Sequence, residues 1–273
     1  MPSEPGIRVG RWEVVPLLDG SAPLPLADEL PGRTIDWESE RARFPWAFAG
    51  EGAWSWHVRC FLVRSDGVAL LVDTGIGHLG RPPYDVVGRL DASLADAGTA
   101  PDRIGHVIHT HLHADHAGGA CLPDGRPRFP NAVHHVHDAD WRFFATATDD
   151  EDFGGRTAMT ALHDTGQLSI TSEDRSIVPG VRVLHTPGHT PGHRAVLVDD
   201  GDDALLLTGD LLHLPIQAAH PGWASSHDED GLLGVGSRRI LLFRARQRNW
   251  RLAVTHFARP FGRVTDEGWD PQV

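Results

Sequence analysis

Apolar residues recur along this chain in short runs and in alternation with polar ones, the two patterns that indicate β-strands. In CFLVRSDGVALLVDTG (60–75), two apolar runs flank Ser65-Asp66-Gly67, an arrangement typical of a hairpin. A second hairpin is predicted at VDDGDDALLLTGD (198–210), with its second strand ending at Asp210. Further strands are predicted at residues 11–20, 103–110, 132–137, 181–185 and 251–257, the last of them ending at His256.

Two stretches have the spacing of apolar residues that a helix requires. They are YDVVGRLDASLADAG (84–98), which Gly98 closes, and Arg238 to Arg248. Because strands with polar C-terminal ends alternate with helices, the pattern predicts a layered α/β fold.

Residues 21–56 follow neither pattern. They are rich in proline and glycine and contain six large aromatic side chains: Trp37, Phe44, Trp46, Phe48, Trp54 and Trp56. The segment is too irregular for a core element and too aromatic for a plain linker. Two interpretations stay open, a lid that forms one wall of a pocket and an irregular segment packed on the surface. We expect a single domain, in which residues 1–57 supply a strand and the lid and residues 58–273 form the core.

Composition and charge exclude or disfavour several classes of function. The chain has 273 residues, a net charge of −12 and no lysine, so Schiff-base chemistry through lysine is excluded. An acidic surface disfavours general binding to nucleic acid or to anionic membranes. The arginine-rich stretch 238–251 is interpreted as a solvated helix face. Cys60 and Cys121 cannot build a disulfide framework, and neither a signal-like apolar core nor a run of about 20 apolar residues is present. We therefore expect a cytoplasmic protein with no membrane partner.

The predicted strand ends carry histidine and aspartate at five separate places. These are Asp73, HTHLHADH (109–116), HTPGHTPGH (185–193), TGD (208–210) and THF (255–257). Ends of neighbouring strands converge on one edge of a sheet, so these side chains can meet. Imidazole nitrogen and carboxylate oxygen are the ligands of zinc and related ions, and the pattern indicates a metal centre.

The spacing within residues 111–116 supports two ions. His111 and His113 are two residues apart, so in an extended backbone they face the same way. Asp115 and His116 follow where the chain turns towards a helix. One pair can hold the first ion and the next pair the second.

These motifs, in this order, resemble those of the metallo-β-lactamase superfamily over roughly residues 58–260. The resemblance implies an αββα sandwich with two divalent metal ions, expected to be zinc, at one edge of its two sheets. It also implies that Asp73 orients a ligand histidine and that Asp210 bridges the ions. The implied ligands are His111, His113 and His189 for the first ion, and Asp115, His116 and His256 for the second.

The function that follows is hydrolysis of a small-molecule ester, lactone or related acyl substrate. A hydroxide held between the metals would be the nucleophile, oriented by Asp115. Alternatives stay open: a thioesterase, a phosphotriesterase or a β-lactam hydrolase of the same fold, a mononuclear-iron persulfide dioxygenase, and a fold that only binds a partner. Whether the chain forms a homodimer is left open.

The stretch GDLLHLPIQAAHPGW (209–223) is most similar to the branch that holds N-acyl-homoserine lactonases and methyl parathion hydrolase. His213 stands where the lactonases typically have tyrosine. We expect it to contact the substrate or to donate a proton to the leaving group, and the alternative is that it caps a loop. His220 and His227 are weaker candidates.

The remaining histidines are assigned structural roles. His109 lies outside the ligand pattern and is expected to be a packed core residue. His134, His135 and His137 have no matching carboxylates and are interpreted as strand and loop residues. His185 and His193 are expected to support the loop that carries His189.

Overall fold

Two seven-stranded β-sheets form the centre of the computed structural model, which describes residues 5–27, 29–77, 86–146 and 155–271. In the first sheet the strands lie in chain order: β1 (Ile7–Val9), β2 (Trp12–Pro25), β3 (Ala53–Ser65), β4 (Val68–Val72), β5 (His106–Ile108), β6 (Val133–His137) and β7 (Leu168–Thr171). In the second sheet, too, neighbouring strands are consecutive along the chain: β8 (Arg175–Val178), β9 (Val181–His185), β10 (Arg194–Asp199), β11 (Ala204–Leu207), β12 (Arg251–Ala253), β13 (Phe261–Thr265) and β14 (Gly268–Pro271).

Helices connect the strands and cover the sheets. Those of the described residues are α1 (Trp37–Arg43), α2 (Leu90–Asp96), α3 (Ala114–Ala117), α4 (Asp138–Ala145), α5 (Gly155–Asp164), α6 (Ile216–Ala219) and α7 (Gly231–Gln247). None of them has the length and the apolar character that crossing a membrane requires.

Alternation of side chains along the strands creates three apolar layers. In β10, Val196 and Val198 belong to the cluster between the two sheets, whereas Ala195 and Leu197 belong to the cluster beneath α7. On the other side of the molecule, Leu94 of α2 packs with residues of β3, β4 and β5. Each sheet is therefore covered by helices on its outer face, and the predicted αββα sandwich in a single domain is confirmed.

The N-terminal third is more regular than its sequence indicated. β2 continues to Pro25 and pairs with β3 from Glu13↔Arg64 to Pro25↔Ala53, with a register shift between Leu18 and Gly20. Trp54 and Trp56 therefore lie in a strand, and the interpretation of 21–56 as wholly irregular is wrong. The reason is that long-range pairing with a neighbouring strand overrides weak local propensity.

Two predicted helix boundaries are also corrected. Residues 84 and 85 lie outside the described residues, and the helix proper starts at Leu90. Helix α7 starts at Gly231, seven positions before the predicted Arg238. Its N-terminal glycines have low helix propensity, but the Asp230 side chain accepts a hydrogen bond from the Leu233 amide and caps the helix.

The polar residues predicted at strand ends follow the strands and are not part of them. Asp73 comes directly after β4, and β12 ends at Ala253, three residues before His256. β4 and β5 are parallel, as are β11 and β12, so their C-terminal ends reach the same edge of their sheets. This edge carries the candidate site.

Candidate metal centre

The first group of nitrogens forms where the chain leaves β5. Leu112 is buried in the apolar cluster on the α4–α5 side, so its neighbours His111 and His113 turn to the opposite side. The Nε2 atom of His111 lies 3.0 Å from Nδ1 of His113. His189, on the loop between β9 and β10, places its Nε2 3.0 Å from the same Nδ1 atom. Three imidazole nitrogens from two sheets therefore converge on one point.

The second group forms around α3. Its short helix carries Asp115 and His116, and His256 approaches from the end of β12. Asp115 Oδ2 lies 3.4 Å from His116 Nε2 and 3.6 Å from His256 Nε2. The ligand atoms of these three residues lie within 4.8 Å of one another.

Asp210 lies between the two groups. It sits in the turn Gly209–Leu211 that follows β11, and its side chain is buried. Oδ1 is 3.1 Å from His116 Nε2, and Oδ2 is 3.0 Å from His256 Nε2 and 3.4 Å from His189 Nε2. The structure thus brings together all seven residues that the sequence suggested as ligands, with one carboxylate facing both groups.

Four of the histidines use their other ring nitrogen, Nδ1, to contact an acceptor outside the cluster. A proton on Nδ1 leaves a lone pair on Nε2, so these contacts turn a ligand atom towards the centre. The four Nδ1 contacts are His111 with Thr110 Oγ1 at 3.1 Å, His116 with Asp73 Oδ2 at 2.9 Å, His189 with Asp228 Oδ1 at 3.4 Å, and His256 with the His57 carbonyl at 2.7 Å.

Asp73 lies outside the cluster, as expected for a residue that orients a ligand. Its carboxylate accepts hydrogen bonds from the Thr110 amide at 2.7 Å and the Thr110 hydroxyl at 2.8 Å, besides that from His116. The backbone of Asp73 is left-handed, with φ at 61°. Aspartate and asparagine tolerate this conformation better than most residues, so both the side chain and the backbone require this residue type.

The residues present fit two divalent ions. His116 Nε2 and Asp210 Oδ1 are buried atoms without a hydrogen-bond partner among the described residues, although they face each other at 3.1 Å. Both atoms carry lone pairs, and these repel each other unless a cation or a proton lies between the two atoms. Five imidazoles and two carboxylates are the donor set that zinc-type ions take.

Charge and burial agree with this assignment. Burial lowers the pKa of His113 and of His189 to about 4, which leaves both rings neutral and able to act as ligands. Burial also lowers the pKa of His116 and of His256, but the carboxylates of Asp210 and Asp115 outweigh it, and both pKa values are raised. The centre is therefore a place where positive charge is favoured.

A pocket with an empty volume of about 690 Å³ opens above these residues. Its apolar wall consists of Leu24 from β2 and of Trp54 and Trp56 from β3. The other aromatic residues of 21–56 are not part of the lining: the Trp46 ring lies 5.6 Å from Phe257, and Trp37 and Phe48 pack against the apolar cluster that contains Trp54 and Trp56. The polar lining comes from His113, Asp115, His189, Asp210, His213, His227 and His256.

His213 lies closer to the metal centre than the sequence suggested. It is 3% exposed, its ring stacks on His256, and its Nε2 is 3.2 Å from Asp210 Oδ2. Its backbone amide donates to Gln217 Oε1 at 2.8 Å, which fixes the turn. His213 also has ligand geometry together with His189 and Asp210. The ring can thus face a substrate in the pocket, and its nitrogen lies within reach of a metal.

Two buried carboxylates next to the site are not recognisable from the sequence pattern. Glu29 accepts hydrogen bonds from Ser225 Oγ at 3.1 Å and His227 Nε2 at 3.2 Å. No local motif marks Glu29, because its partners lie almost 200 positions away in the chain.

The second of these carboxylates is Asp228, which pairs with the buried Arg238 at 3.3 Å and faces His189 Nδ1. Asp228 belongs to the acidic run before α7, where such residues usually serve as helix caps. Asp230 fulfils this common role. The sequence pattern therefore gave no sign that Asp228 contacts His189.

The histidines assigned to structural roles lie away from the pocket lining. His109 Nε2 is 2.9 Å from His134 Nδ1, and both rings are buried. Neither belongs to a group with ligand geometry among the described residues. His193 supports the site indirectly, since its Nε2 accepts a hydrogen bond from the Asp210 amide at 2.9 Å.

The family model that matches this chain is that of the metallo-β-lactamase superfamily, over residues 55–256. The chain belongs to this superfamily. The match begins in β3 and ends on His256, so it contains all seven candidate ligands.

Several curated relatives of this chain are named N-acyl homoserine lactonases, which belong to the branch predicted from residues 209–223. An N-acyl homoserine lactonase of Bacillus sp is 29% identical over 170 residues, which are 56% of this chain and 63% of that protein. The lactonase AttM of Rhizobium radiobacter is 33% identical over 124 residues, 42% of this chain and 44% of that protein. The chain thus spans less than two thirds of the length of these relatives.

Solved structures extend the likeness in fold to the whole chain. AidC, described as a dizinc quorum-quenching lactonase, superimposes with a TM-score of 0.86 at 22% identity, covering 98% of this chain and 97% of its own. The hydrolase AbOPH gives 0.85 at 21% identity, covering 100% and 98%. At this level of identity the likeness establishes the fold alone.

Proposed function

We propose that this protein is a dinuclear metal-dependent hydrolase of a small-molecule lactone, ester or related acyl substrate. The observation that carries the proposal is the position of Asp210, whose two carboxylate oxygens face imidazole nitrogens of both groups. One ion would be held by His111, His113 and His189, the second by Asp115, His116 and His256, and Asp210 would contact both.

Two bound ions supply a water of lowered pKa as nucleophile and a Lewis acid for the substrate carbonyl. The protein residues set the geometry for that chemistry. Asp115 turns one carboxylate oxygen, Oδ2, towards both His116 and His256, and its other oxygen, Oδ1, can orient the attacking water. Asp73 and Asp228 hold His116 and His189 in the tautomer that directs Nε2 inward.

The pocket supports an acyl substrate with an apolar tail. We infer that the tail rests on Leu24, Trp54 and Trp56, so residues 1–57 supply one wall of the site. His213 would face the leaving-group oxygen and donate a hydrogen bond or a proton to it. The lactonase names of the relatives favour a lactone among the acyl substrates.

Metal analysis of the purified protein tests the first half of this proposal. We expect two zinc-type ions per chain, loss of both with a chelator, and recovery of activity when zinc is restored. An Asp210→Asn variant should retain fewer than two ions. One iron per chain with no second ion would support the mononuclear dioxygenase instead.

A substrate panel tests the second half. It should contain acyl lactones, alkyl and aryl esters, thioesters and phosphotriesters, each assayed with the zinc-loaded enzyme and with the chelated enzyme as control. We expect the highest kcat/KM on lactones or alkyl esters. Preference for a thioester or phosphotriester would move the protein to another branch of the same fold, and no hydrolysis of any of them would contradict the proposal.

A further inference from the structure

The outer face of α7 carries a stripe of exposed apolar side chains. Leu233, Ile240 and Phe243 are 45%, 57% and 62% exposed, and the neighbouring Leu232 is 89% exposed. Seven large hydrophobic side chains are exposed among the described residues, and these four share one helix. Positions 233, 240 and 243 recur at helical spacing, so they form one continuous surface.

The core of the chain does not need this surface. The opposite face of α7 already packs on the second sheet through Leu241, Leu242 and Ala245, which are all buried. A grouped apolar stripe that is left outside the core is typical of an association surface rather than of ordinary surface composition.

Gly236 leaves a notch in the middle of the stripe. No heavy atom of the described residues lies within 4 Å of the position where its Cβ would stand, and its φ is not left-handed. No contact with the described part of the chain therefore requires glycine, which costs about 1 kcal/mol relative to alanine inside a helix. Gly234, by contrast, has Asp228 Oδ2 at 3.1 Å from the corresponding point. A notch of this kind lets a second helix approach closely.

The charges at the two ends of α7 are opposite. Glu229 and Asp230 precede the helix, whereas Arg244 and Arg248 lie exposed at its C-terminal end. A helix with this polarity is complementary to an antiparallel copy of itself, because each acidic end then meets a basic end. The helix dipoles also align favourably in this orientation.

We propose that the protein forms a homodimer in which α7 packs antiparallel on α7 of a second copy. A two-fold axis near the middle of the helix pairs Leu233 with Phe243 and sets Ile240 of one copy into the notch at Gly236 of the other. The contact is self-complementary and closes after two copies, as a two-fold interface must.

Molar mass in solution tests the dimer independently of the metals and of activity. Light scattering coupled to gel filtration should give twice the 29.8 kDa of one chain. Ile240→Glu should raise the dimer dissociation constant by at least about 30-fold, since it buries a charge at the centre of the contact. Phe143→Glu is the matched control, because Phe143 is an exposed aromatic residue on α4, away from the stripe, and its variant should remain dimeric.

Two further variants test the antiparallel arrangement. Gly236→Leu should weaken the dimer by filling the notch, with the circular dichroism of a folded helix retained. Glu229→Arg should also weaken it, and adding Arg248→Glu to the same chain should restore it, because the two positions meet across the two-fold axis. A monomer at every concentration, or a dimer that Ile240→Glu and Gly236→Leu leave intact, would overturn the proposal.

Discussion

At the scale of single residues, the structure separates the groups that can hold metal from those that orient them. Asp73 contacts His116 and both the amide and the hydroxyl of Thr110. Among the described residues, its hydrogen bonds reach no candidate ligand other than His116. Its influence on the metals passes directly through His116 and, through the Thr110 hydroxyl, to His111.

Replacing Asp73 tests that route. Asp73→Asn keeps a residue type that tolerates the left-handed backbone, but it has one acceptor oxygen where Asp73 uses two to accept from the Thr110 amide, the Thr110 hydroxyl and His116. We expect zinc affinity to fall by roughly 10 to 100-fold, the usual cost of losing such a partner, as it should in Asp73→Ala. Zinc titration of the apoprotein against a competing chelator measures it. Unchanged affinity in both variants would show that Asp73 does not orient His116.

The contribution of His213 to kcat is expected to depend on the leaving group of the substrate. His213→Ala should lower kcat on an alkyl ester or lactone by about 10²-fold, since a poor leaving group needs a proton donor. A nitrophenyl ester, whose leaving group departs unaided, should lose much less, with two ions still bound. Equal losses on both substrates would indicate a positioning role, and loss of an ion would instead assign His213 Nε2 to the metals.

At the scale of secondary-structure elements, a buried carboxylate joins α4 to the loop that carries His189. Asp140 accepts hydrogen bonds from Thr190 Oγ1 at 2.9 Å and the Gly192 amide at 2.6 Å. Burial raises the pKa of Asp140 from its usual 3.8 to about 6, although those hydrogen bonds oppose the shift. The folded state therefore binds this proton more tightly than the unfolded chain.

The sign of the resulting pH dependence follows from linkage. A raised folded-state pKa contributes stability that is complete below the unfolded pKa and is lost as pH rises through the folded pKa. Wild type should therefore lose up to about 3 kcal/mol relative to Asp140→Asn between pH 4 and pH 6 or so. Urea unfolding of both proteins across this pH range measures the difference between their free energies of unfolding. Titratable groups that both proteins contain contribute equally and cancel in this difference. Asp96→Asn, on the exposed side of α2, is the control, and a pH-independent difference for Asp140→Asn would contradict the assignment.

At the scale of the whole molecule, the candidate metal centre joins the two sheets. His111, His113 and Asp115 follow a strand of the first sheet, whereas His189, Asp210 and His256 follow strands of the second. An ion held by residues from both sheets binds the folded protein and not the unfolded chain, so it adds to global stability.

Removal of the metals should therefore lower the melting temperature of the entire protein in one transition. Zinc at a thousand times its dissociation constant contributes about 4 kcal/mol. We expect a chelator to lower Tm and added zinc to restore it, as followed by calorimetry. His163→Ala, which alters an exposed histidine of α5, should respond to the chelator like wild type, whereas Asp210→Asn should respond much less. A Tm that is insensitive to the chelator in a protein shown to carry zinc would contradict this link between the sheets.

The sequence by itself determined the fold class and the candidate ligands. Strand periodicity is a local property, so the fold class could be predicted from the sequence. Four of the candidate ligands lie within six positions of one another, and their role as metal ligands could be predicted without a structure: His111, His113, Asp115 and His116. Asp210 and His256 could be found because each follows a strand, and strand ends meet at one edge of a sheet.

Which residues from distant parts of the chain support the site could be learned only from the tertiary structure. Glu29 meets Ser225 and His227 through folding alone, and Trp54 and Trp56 became part of a strand because β2 pairs with β3 along its whole length. The exposed stripe on α7 is a third case: its arginines suggested a solvated face, and its apolar side became visible only when the core was seen to use the opposite side. In each case the deciding contact lies far away in the chain, and local propensity carries no information about contacts of that kind.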